Sequence, residues 1–357
     1  MSVDTLTIAT ERVKQSRISE VDFDNLQFGK TFSDHMFVVD YKNGEWQNPQ
    51  VLPYGNMSLS PATSSLHYGQ ALFEGMKAYR DQNGDILLFR PLANHKRLNS
   101  SAERLCMPEL PEDLFMQGLS QLLRVDADWV PSKEGSSLYI RPLMFATDSF
   151  IGVRPSLTYR FLIITCPVGK YYDKPVTVAV EPHYVRSAEG GAGYAKAAGN
   201  YAAALLPAKK MQEKGYDQLI WTDAREHKYI EESGTMNVMF VIDGVLVTPS
   251  LSTSILHGVT RDSVLQVAKD LGYTVEERRV SVDEVIAAHK AGKLSEAFGT
   301  GTAAIISQIA LIHHEGQDYE LPAVEGREIS NKVAAELNRI RTGQVPDTHN
   351  WVYKITL

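Results

Sequence analysis

Residues 189–201 read Glu-Gly-Gly-Ala-Gly-Tyr-Ala-Lys-Ala-Ala-Gly-Asn-Tyr, with four glycines crowded around one lysine, Lys196. So many glycines cannot pack a core, and they are favoured only where backbone turns sharply or something must approach it closely. Small neighbours leave little to cover the amine, so Lys196 is the candidate reactive group; an Ala-rich helical run to Leu206 follows it. Nucleotide chemistry fits poorly. From Gly191 the chain reads Gly-Ala-Gly-Tyr-Ala-Lys, with lysine where the dinucleotide fingerprint has its third glycine. Ala195 and Ala197 also leave the Gly-Lys-Ser/Thr of a phosphate loop incomplete.

A lysine that forms a Schiff base must lose its proton near neutral pH, which a confined or electropositive site favours. The usual partner of such a lysine is pyridoxal phosphate, and that cofactor asks for more than an amine. Its phosphate needs N–H donors at a helix start or tight turn, which Gly258-Val259-Thr260 and Gly299-Thr300-Gly301-Thr302 offer. Its ring nitrogen needs a carboxylate; Glu231 and Glu232 both precede Ser233-Gly234-Thr235, and physics alone does not choose between them. Its phenolic oxygen wants a donor, and Tyr201 is close along the chain. Each residue has a plainer role open to it: Lys196 as a solvated loop charge, Tyr201 as a packed aromatic, the glutamates as turn acids. Arg97 could be a solvated helix arginine, and Arg141 an ion-pair partner in an alternating strand.

The elements that must carry these groups follow from pattern. Met36–Tyr41, Ile86–Phe89, Ser137–Phe145 and Tyr159–Cys166 read as strands, and Leu92–Leu105 and Pro111–Val130 as helices. Between the last two strands lies an apolar loop, 148–155, with Phe150, Ile151 and Val153. Pro167 to Pro175 breaks regular structure and is the linker candidate. Beyond it Val176–Val180, Asp217–Thr222, Met236–Ile242 and Val245–Val247 read as strands, and the helix after Lys196 should kink or restart at Pro207. Thr260 is expected to cap a helix over 261–271 stopped by Gly272, Ser281-Val-Asp-Glu284 to form a capping box, and 329–341 to form an amphipathic helix. Phe298–Ala304 reads as a second small-residue loop.

A length of 357 residues calls for two domains, here mixed α/β. The net charge of −7 argues against nucleic acid or an anionic membrane as the main partner. No apolar run is long enough to span a bilayer and no secretory signal is visible, so a cytoplasmic enzyme is expected. Two cysteines, Cys106 and Cys166, neither in a Cys-x-x-Cys, make disulfide and zinc frameworks unexpected.

Leu66-His-Tyr-Gly-Gln-Ala-Leu-Phe-Glu-Gly-Met-Lys-Ala-Tyr79 resembles the N-terminal-domain motif of the branched-chain amino acid aminotransferases. Phe28–Met36, Ser137–Pro142, Cys166–Gly169, Glu232–Asn237 and Phe298–Thr302 are similar to further blocks of that family, in the same order. The resemblance implies the fold-type IV, D-amino acid aminotransferase-like architecture. It implies a smaller N-terminal α/β domain over 1–167, a linker over 168–182 and a larger cofactor-binding domain over 183–357. It implies Lys196 as Schiff-base lysine and proton shuttle, Tyr201 at the phenolic oxygen, Glu232 rather than Glu231 at the ring nitrogen, and Arg97, Val259, Thr260 and Thr302 on the phosphate. Phe28, Tyr68, Phe73 and Tyr139 would wall the substrate pocket, Thr235 and the Thr302-Ala303 turn would take the α-carboxylate, and Arg141 the distal carboxylate of glutamate. Ile151 and Val153 would enter a neighbouring subunit's site, implying a homodimer or higher homo-oligomer. The implied reaction is ping-pong transamination of L-leucine, L-isoleucine and L-valine with 2-oxoglutarate. A D-amino acid aminotransferase or aminodeoxychorismate lyase would use the same lysine and ring glutamate, and a non-catalytic relative could keep the fold. Mammalian members carry a redox-sensitive Cys-x-x-Cys after the Thr302-type turn; Ala304-Ile305-Ile306-Ser307 has none, so thiol regulation of that kind is not expected.

Overall fold

The computed structural model describes residues 6–169 and 174–357, which form two compact units. The first comprises 6–169, Ala195–Ala198 and Ile340–Leu357; the second comprises 174–194 and Gly199–Arg339. Residues 170–173 of the expected linker lie outside the described residues, and 176–180 within it are a strand. Both units are mixed α/β, as the sequence leads one to expect.

The first unit is a sheet of β1 (Ala9–Thr10), β2 (His35–Lys42), β3 (Glu45–Pro53), β4 (Ala71–Phe73), β5 (Met76–Arg80), β6 (Ile86–Phe89), β7 (Ser137–Ala146) and β8 (Tyr159–Val168). Their order is β1-β3-β2-β8-β7-β5-β6, with β4 alongside β7 and the strand Val352–Ile355 antiparallel to β6 at the edge. The β2–β3 hairpin turns on Asn43 and Gly44, whose φ values of 55° and 86° suit a tight turn matched to strand twist. The helices α1 (Ser64–Tyr68), α2 (Pro91–Arg104) and α3 (Glu112–Val125) belong here. Gly118 lets α3 lie close on the sheet, since a Cβ there would fall 2.5 Å from Phe37 Cζ. The expected helix to Val130 stops earlier and passes into a 3-10 turn at Ala127–Trp129. There the Asp126 carboxylate turns to His35, accepting from its backbone N–H at 3.0 Å and meeting its ring Nδ1 at 2.6 Å.

A buried row crosses three strands of this sheet: Lys77 on β5 is paired with Tyr139 on β7, and Tyr139 with Cys166 on β8. Burial, with Arg341 nearby, pulls the Lys77 amine down to about 7, while Cys166 acts weakly the other way. Between pH 7 and the usual amine range the unfolded chain therefore holds more protons than the folded one, so stability rises with pH across that window. Lys77→Met is expected to flatten this slope and to raise stability at neutral pH. Urea unfolding from about pH 6 to about pH 10 checks it, and an unchanged slope refutes it.

The second unit contains β9 (Val176–Val180), α4 (Ala198–Ala203, its first residue in the first unit), α5 (Leu205–Glu213), β10 (Gln218–Thr222), β11 (Ile230–Ser233), β12 (Met236–Ile242) and β13 (Val245–Thr248). It continues with α6 (Val259–Asp270), β14 (Val275–Glu277), α7 (Val282–Lys290), β15 (Leu294–Gly301), β16 (Ile305–His314), β17 (Gln317–Glu320) and α8 (Ile329–Arg341), whose last two residues pass into the first unit. The sheet order is β11-β10-β9-β16-β15-β12-β13-β14, and β11 also pairs with β12. The strands from β11 round to β12 thus close into a ring, which removes the open edges such strands would otherwise present. Val178, Ile220, Val238, Phe240, Ala297 and Ile309 of these strands belong to one buried apolar cluster, which Val285 and Ile286 of α7 join.

Local signals account for most boundaries. Ser281 Oγ accepts from Glu284 N–H at 3.1 Å and starts α7. Gly272 ends α6 at φ 85°. The helix after Lys196 breaks at Ala204, and Pro207 sits in the first turn of α5, where its missing N–H costs nothing. Two expectations are corrected. Gly258, not Thr260, caps α6, so Thr260 is already helical. Phe298–Gly301 is the end of β15 rather than loop, leaving only 302–304 as the turn. Among the described residues no helix is long and apolar enough to cross a membrane, and no cluster of His, Cys, Asp and Glu could hold a metal ion.

Candidate active site

In the first unit the backbone around Lys196 is fixed on both sides. Its carbonyl accepts from Phe73 N–H at 3.1 Å, its N–H donates to Ser101 Oγ at 2.9 Å, and Ala197 bridges to Leu72 on β4. Ser101 Oγ in turn donates to the Arg97 carbonyl at 2.9 Å, so β4, α2 and the lysine share one frame. The half-buried Lys196 side chain places Nζ 4.9 Å from the centre of the Phe73 ring.

Next to Phe73 is Glu74, fully buried, which sequence reasoning missed. Its carboxylate accepts from Arg97 Nε at 2.7 Å and Arg97 Nη2 at 2.8 Å, the two-pronged geometry in which arginine and carboxylate match best. Asn94 Nδ2 at 2.8 Å and Gly75 N–H at 3.1 Å add to it. Burial pushes the carboxyl up, but Arg97, helped by Lys196 and Asn94, more than reverses this and holds it below the usual range. A Glu-Gly step between two short strands, with an arginine on the following helix, was the available signal.

Arg141 and Tyr139, two apart on β7, form the third feature. Arg141 Nη2 donates to the Tyr139 hydroxyl at 2.7 Å, and the guanidinium lies 4.5 Å from the Phe73 ring centre. Its Nε is buried and has no hydrogen-bond partner among the described residues. The Tyr139 hydroxyl rests against Gly75, where any Cβ would lie 2.3 Å from it, and Phe28 meets the Tyr139 ring edge-on at 4.8 Å. Burial raises the Tyr139 phenol, so it stays protonated. Tyr68 ends α1 and is exposed. Ile151 and Val153 lie in the 148–155 loop and are 67% and 90% exposed.

In the second unit Glu232, on β11, is buried and accepts from Leu256 N–H at 2.6 Å and from Arg186 Nε at 2.9 Å. The period-2 alternation of a strand sends Glu231 to the other face. There it takes the Ser254 hydroxyl, and burial raises its carboxyl, although Ser254 and Arg186 act the other way. Val259 and Thr260 are the first residues of α6, whose leading N–H groups have no partner within the helix and whose cap supplies no side chain. Gly258 is required there because a Cβ would lie 2.0 Å from Asn237 Oδ1, and Asn237 Nδ2 donates to the Leu256 carbonyl at 2.9 Å. Thr302 and Ala303 occupy the β15–β16 turn, followed by Ile305 at φ 65°, a strained value for a β-branched residue. Thr235 is exposed in the β11–β12 turn, and Tyr201 is half-buried on α4.

Each unit holds donor types that pyridoxal phosphate uses: the first an amine on a fixed backbone, the second a buried carboxylate and the start of a twelve-residue helix. Residues 71–312 match the family described as Amino-transferase class IV. The chain is 47% identical to branched-chain-amino-acid aminotransferase 2 of Bacillus subtilis (strain 168), over 94% of this chain and 93% of the relative. It is 46% identical to the branched-chain-amino-acid aminotransferase of Mycolicibacterium smegmatis, over 97% and 95%. The fold matches the branched-chain aminotransferase of Thermoproteus uzoniensis crystallised with norvaline at a TM-score of 0.75, with 28% identity over 90% of this chain and 100% of that one. It matches the Escherichia coli branched-chain amino acid aminotransferase at 0.72, with 27% identity over 91% and 99%. The chain therefore belongs to the class IV aminotransferases, in the branched-chain aminotransferase family, and is a pyridoxal phosphate enzyme of fold type IV.

Proposed function

We propose that this enzyme exchanges the amino group of L-leucine, L-isoleucine or L-valine with 2-oxoglutarate, one substrate leaving before the next binds, and that it works as a cytoplasmic homodimer. When bound, the cofactor accepts the charge left on the substrate's Cα as its proton departs. Lys196 Nζ takes up that proton and gives it back in each half-reaction. Glu232 holds a proton at the ring nitrogen, and Tyr201 donates to the phenolic oxygen. Arg97, the N–H groups of Val259 and Thr260, and the Thr302 hydroxyl hold the phosphate. Thr235 and the Thr302-Ala303 turn orient the α-carboxylate. Phe28, Tyr68, Phe73 and Tyr139 wall the side-chain pocket, and the exposed Ile151 and Val153 complete the pocket of a second copy.

Arg141 carries the double specificity. Its guanidinium lies against aromatic rings, where an apolar branch can rest, while its buried Nε awaits an acceptor that a distal carboxylate supplies. A charge-assisted hydrogen bond is worth about 1.5–3 kcal/mol. Arg141→Met is therefore expected to raise KM for 2-oxoglutarate by roughly 10- to 100-fold while moving KM for L-leucine by less than about threefold. Equal losses for both would remove Arg141 from this role.

The reading as a whole is tested by an amino-donor panel of L-leucine, L-isoleucine, L-valine, L-aspartate and D-alanine, each with 2-oxoglutarate. Activity should concentrate on the three branched donors. Activity confined to D-alanine would overturn the substrate assignment, and a chain that takes up cofactor without turning over any donor would mark a binding protein.

A further inference from the structure

Arg186 lies in the loop that leads into the glycine-rich segment and is 93% buried, its side chain keeping 7% exposure. All three of its nitrogens are engaged within the second unit. Nε faces Glu232 Oε2 at 2.9 Å, Nη1 donates to the Ser254 carbonyl at 2.8 Å, and Nη2 donates to the Gly193 carbonyl at 3.1 Å. The two carbonyl-bearing segments touch: a Cβ on Gly193 would fall 2.2 Å from the Ser254 oxygen. Arg186 thus ties the glycine loop, the segment before α6 and the Glu232 carboxylate to one rigid planar group.

We propose that Arg186 is the positioning residue for Glu232, supplying the buried counter-charge and fixing the orientation in which the carboxylate meets the cofactor's ring nitrogen. This rests on the reading of Glu232 given above. A buried carboxylate stripped of its counter-charge tends to take up a proton itself. It would then present a donor where the ring needs an acceptor, and the ring proton would be lost. Arginine suits the place because its fork spans a carboxylate and two carbonyls at fixed angles, which a single ammonium cannot do. The role needs no contact between Arg186 and substrate, so Arg186 acts through Glu232 alone.

The experiment is a double-mutant cycle on the cofactor-loaded enzyme: Arg186→Met, Glu232→Gln and both together, with Arg186→Lys as a variant that keeps the charge. Three quantities are read: the single-turnover rate with L-leucine, the visible absorption maximum of the bound cofactor, and the cofactor dissociation constant. Arg186→Met should slow the half-reaction by on the order of 10²-fold and move the absorption maximum, as Glu232→Gln does, and Arg186→Lys should recover part of the rate. In the Glu232→Gln background the Arg186→Met change should cost less than about threefold more. Equal slowing in both backgrounds with an unmoved spectrum would show that Arg186 only braces the loops, and the proposal falls. Slowing by Arg186→Met beside a Glu232→Gln variant of wild-type rate and spectrum would instead overturn the role of Glu232. Should Arg186→Met fail to fold, the cycle is run with Arg186→Lys, and an absorption maximum identical to wild type with an additive rate loss counts against the proposal.

Discussion

Lys196→Ala is expected to abolish transamination, with a loss beyond the 10²–10⁴, in order of magnitude, that removal of a general base costs. The same side chain is proposed both to anchor the cofactor and to carry the Cα proton, so one truncation removes two functions. The effect should not be structural. What holds this segment is backbone: Phe73 N–H on the Lys196 carbonyl, Ser101 Oγ on its N–H, and the bridge from Ala197 to Leu72. None of these needs the lysine side chain, so the unfolding midpoint of Lys196→Ala should fall only by the small share that the lysine charge contributes to holding Glu74 ionised. Pre-steady-state measurement of each half-reaction, with a denaturation curve beside it, decides the matter. Turnover near the wild-type rate would end the assignment, and a large fall in stability would show that the amine also holds the fold.

Glu74→Gln is expected to cost about 3–5 kcal/mol of stability, the usual penalty for breaking a buried ion pair by removing one partner. Glu74 has no exposed surface and Arg97 keeps only 10%, so water cannot replace the lost charge. The neutral amide must also turn one N–H₂ group toward donors already aimed at it, from Arg97 Nε and Nη2, Asn94 Nδ2 or Gly75 N–H. The sign with pH follows from the depressed carboxyl. A group whose folded pKa lies below its unfolded value contributes stability above the unfolded pKa, lost as pH falls through the folded one. The wild type should therefore lose stability steeply on the acid side of the ordinary glutamate range, and Glu74→Gln should show a shallower acid limb. Urea unfolding at neutral pH and at about pH 4 tests both statements. A loss under about 1 kcal/mol at neutral pH would mean that Arg97 finds another partner and that the pair does not hold α2 to residues 74–75.

Much of this molecule was legible because its signals are local. The lysine loop announced itself by composition, Ser281 and Glu284 by their spacing, and 329–341 by helical period. The failures share a cause in partners distant along the chain. Phe298–Gly301 looked like loop because it is rich in glycine. Gly299 in fact pairs with Val238 of β12, and the Met236 side chain lies over it, its Cε 2.7 Å from where a Cβ would be. Thr260 looked like a cap by type, yet Gly258 takes the place because Asn237 fills the space a side chain would need. Glu231 and Glu232 could not be separated by their neighbours in sequence. Which face of β11 meets Arg186 and which meets Ser254 depends on pairings outside that strand. Glu74 and Arg186 were invisible for the same reason, since each gains its meaning from a charge on a different element.

The strand Val352–Ile355 runs beside β6 and belongs to the first unit, although the whole second unit is threaded through the chain before it. On the ribosome this means that the first sheet emerges early with β6 unpaired along one side and stays so while the remainder is made. Its finishing strand arrives only after the second unit. A nick in the segment 342–351 would return the sheet to that half-made condition, with a row of unbonded peptide groups on Ile86–Phe89 open to any other extended chain. Clipped preparations should accordingly aggregate before they lose secondary structure, and a synthetic peptide of residues 350–357 should slow that aggregation by re-seating on β6.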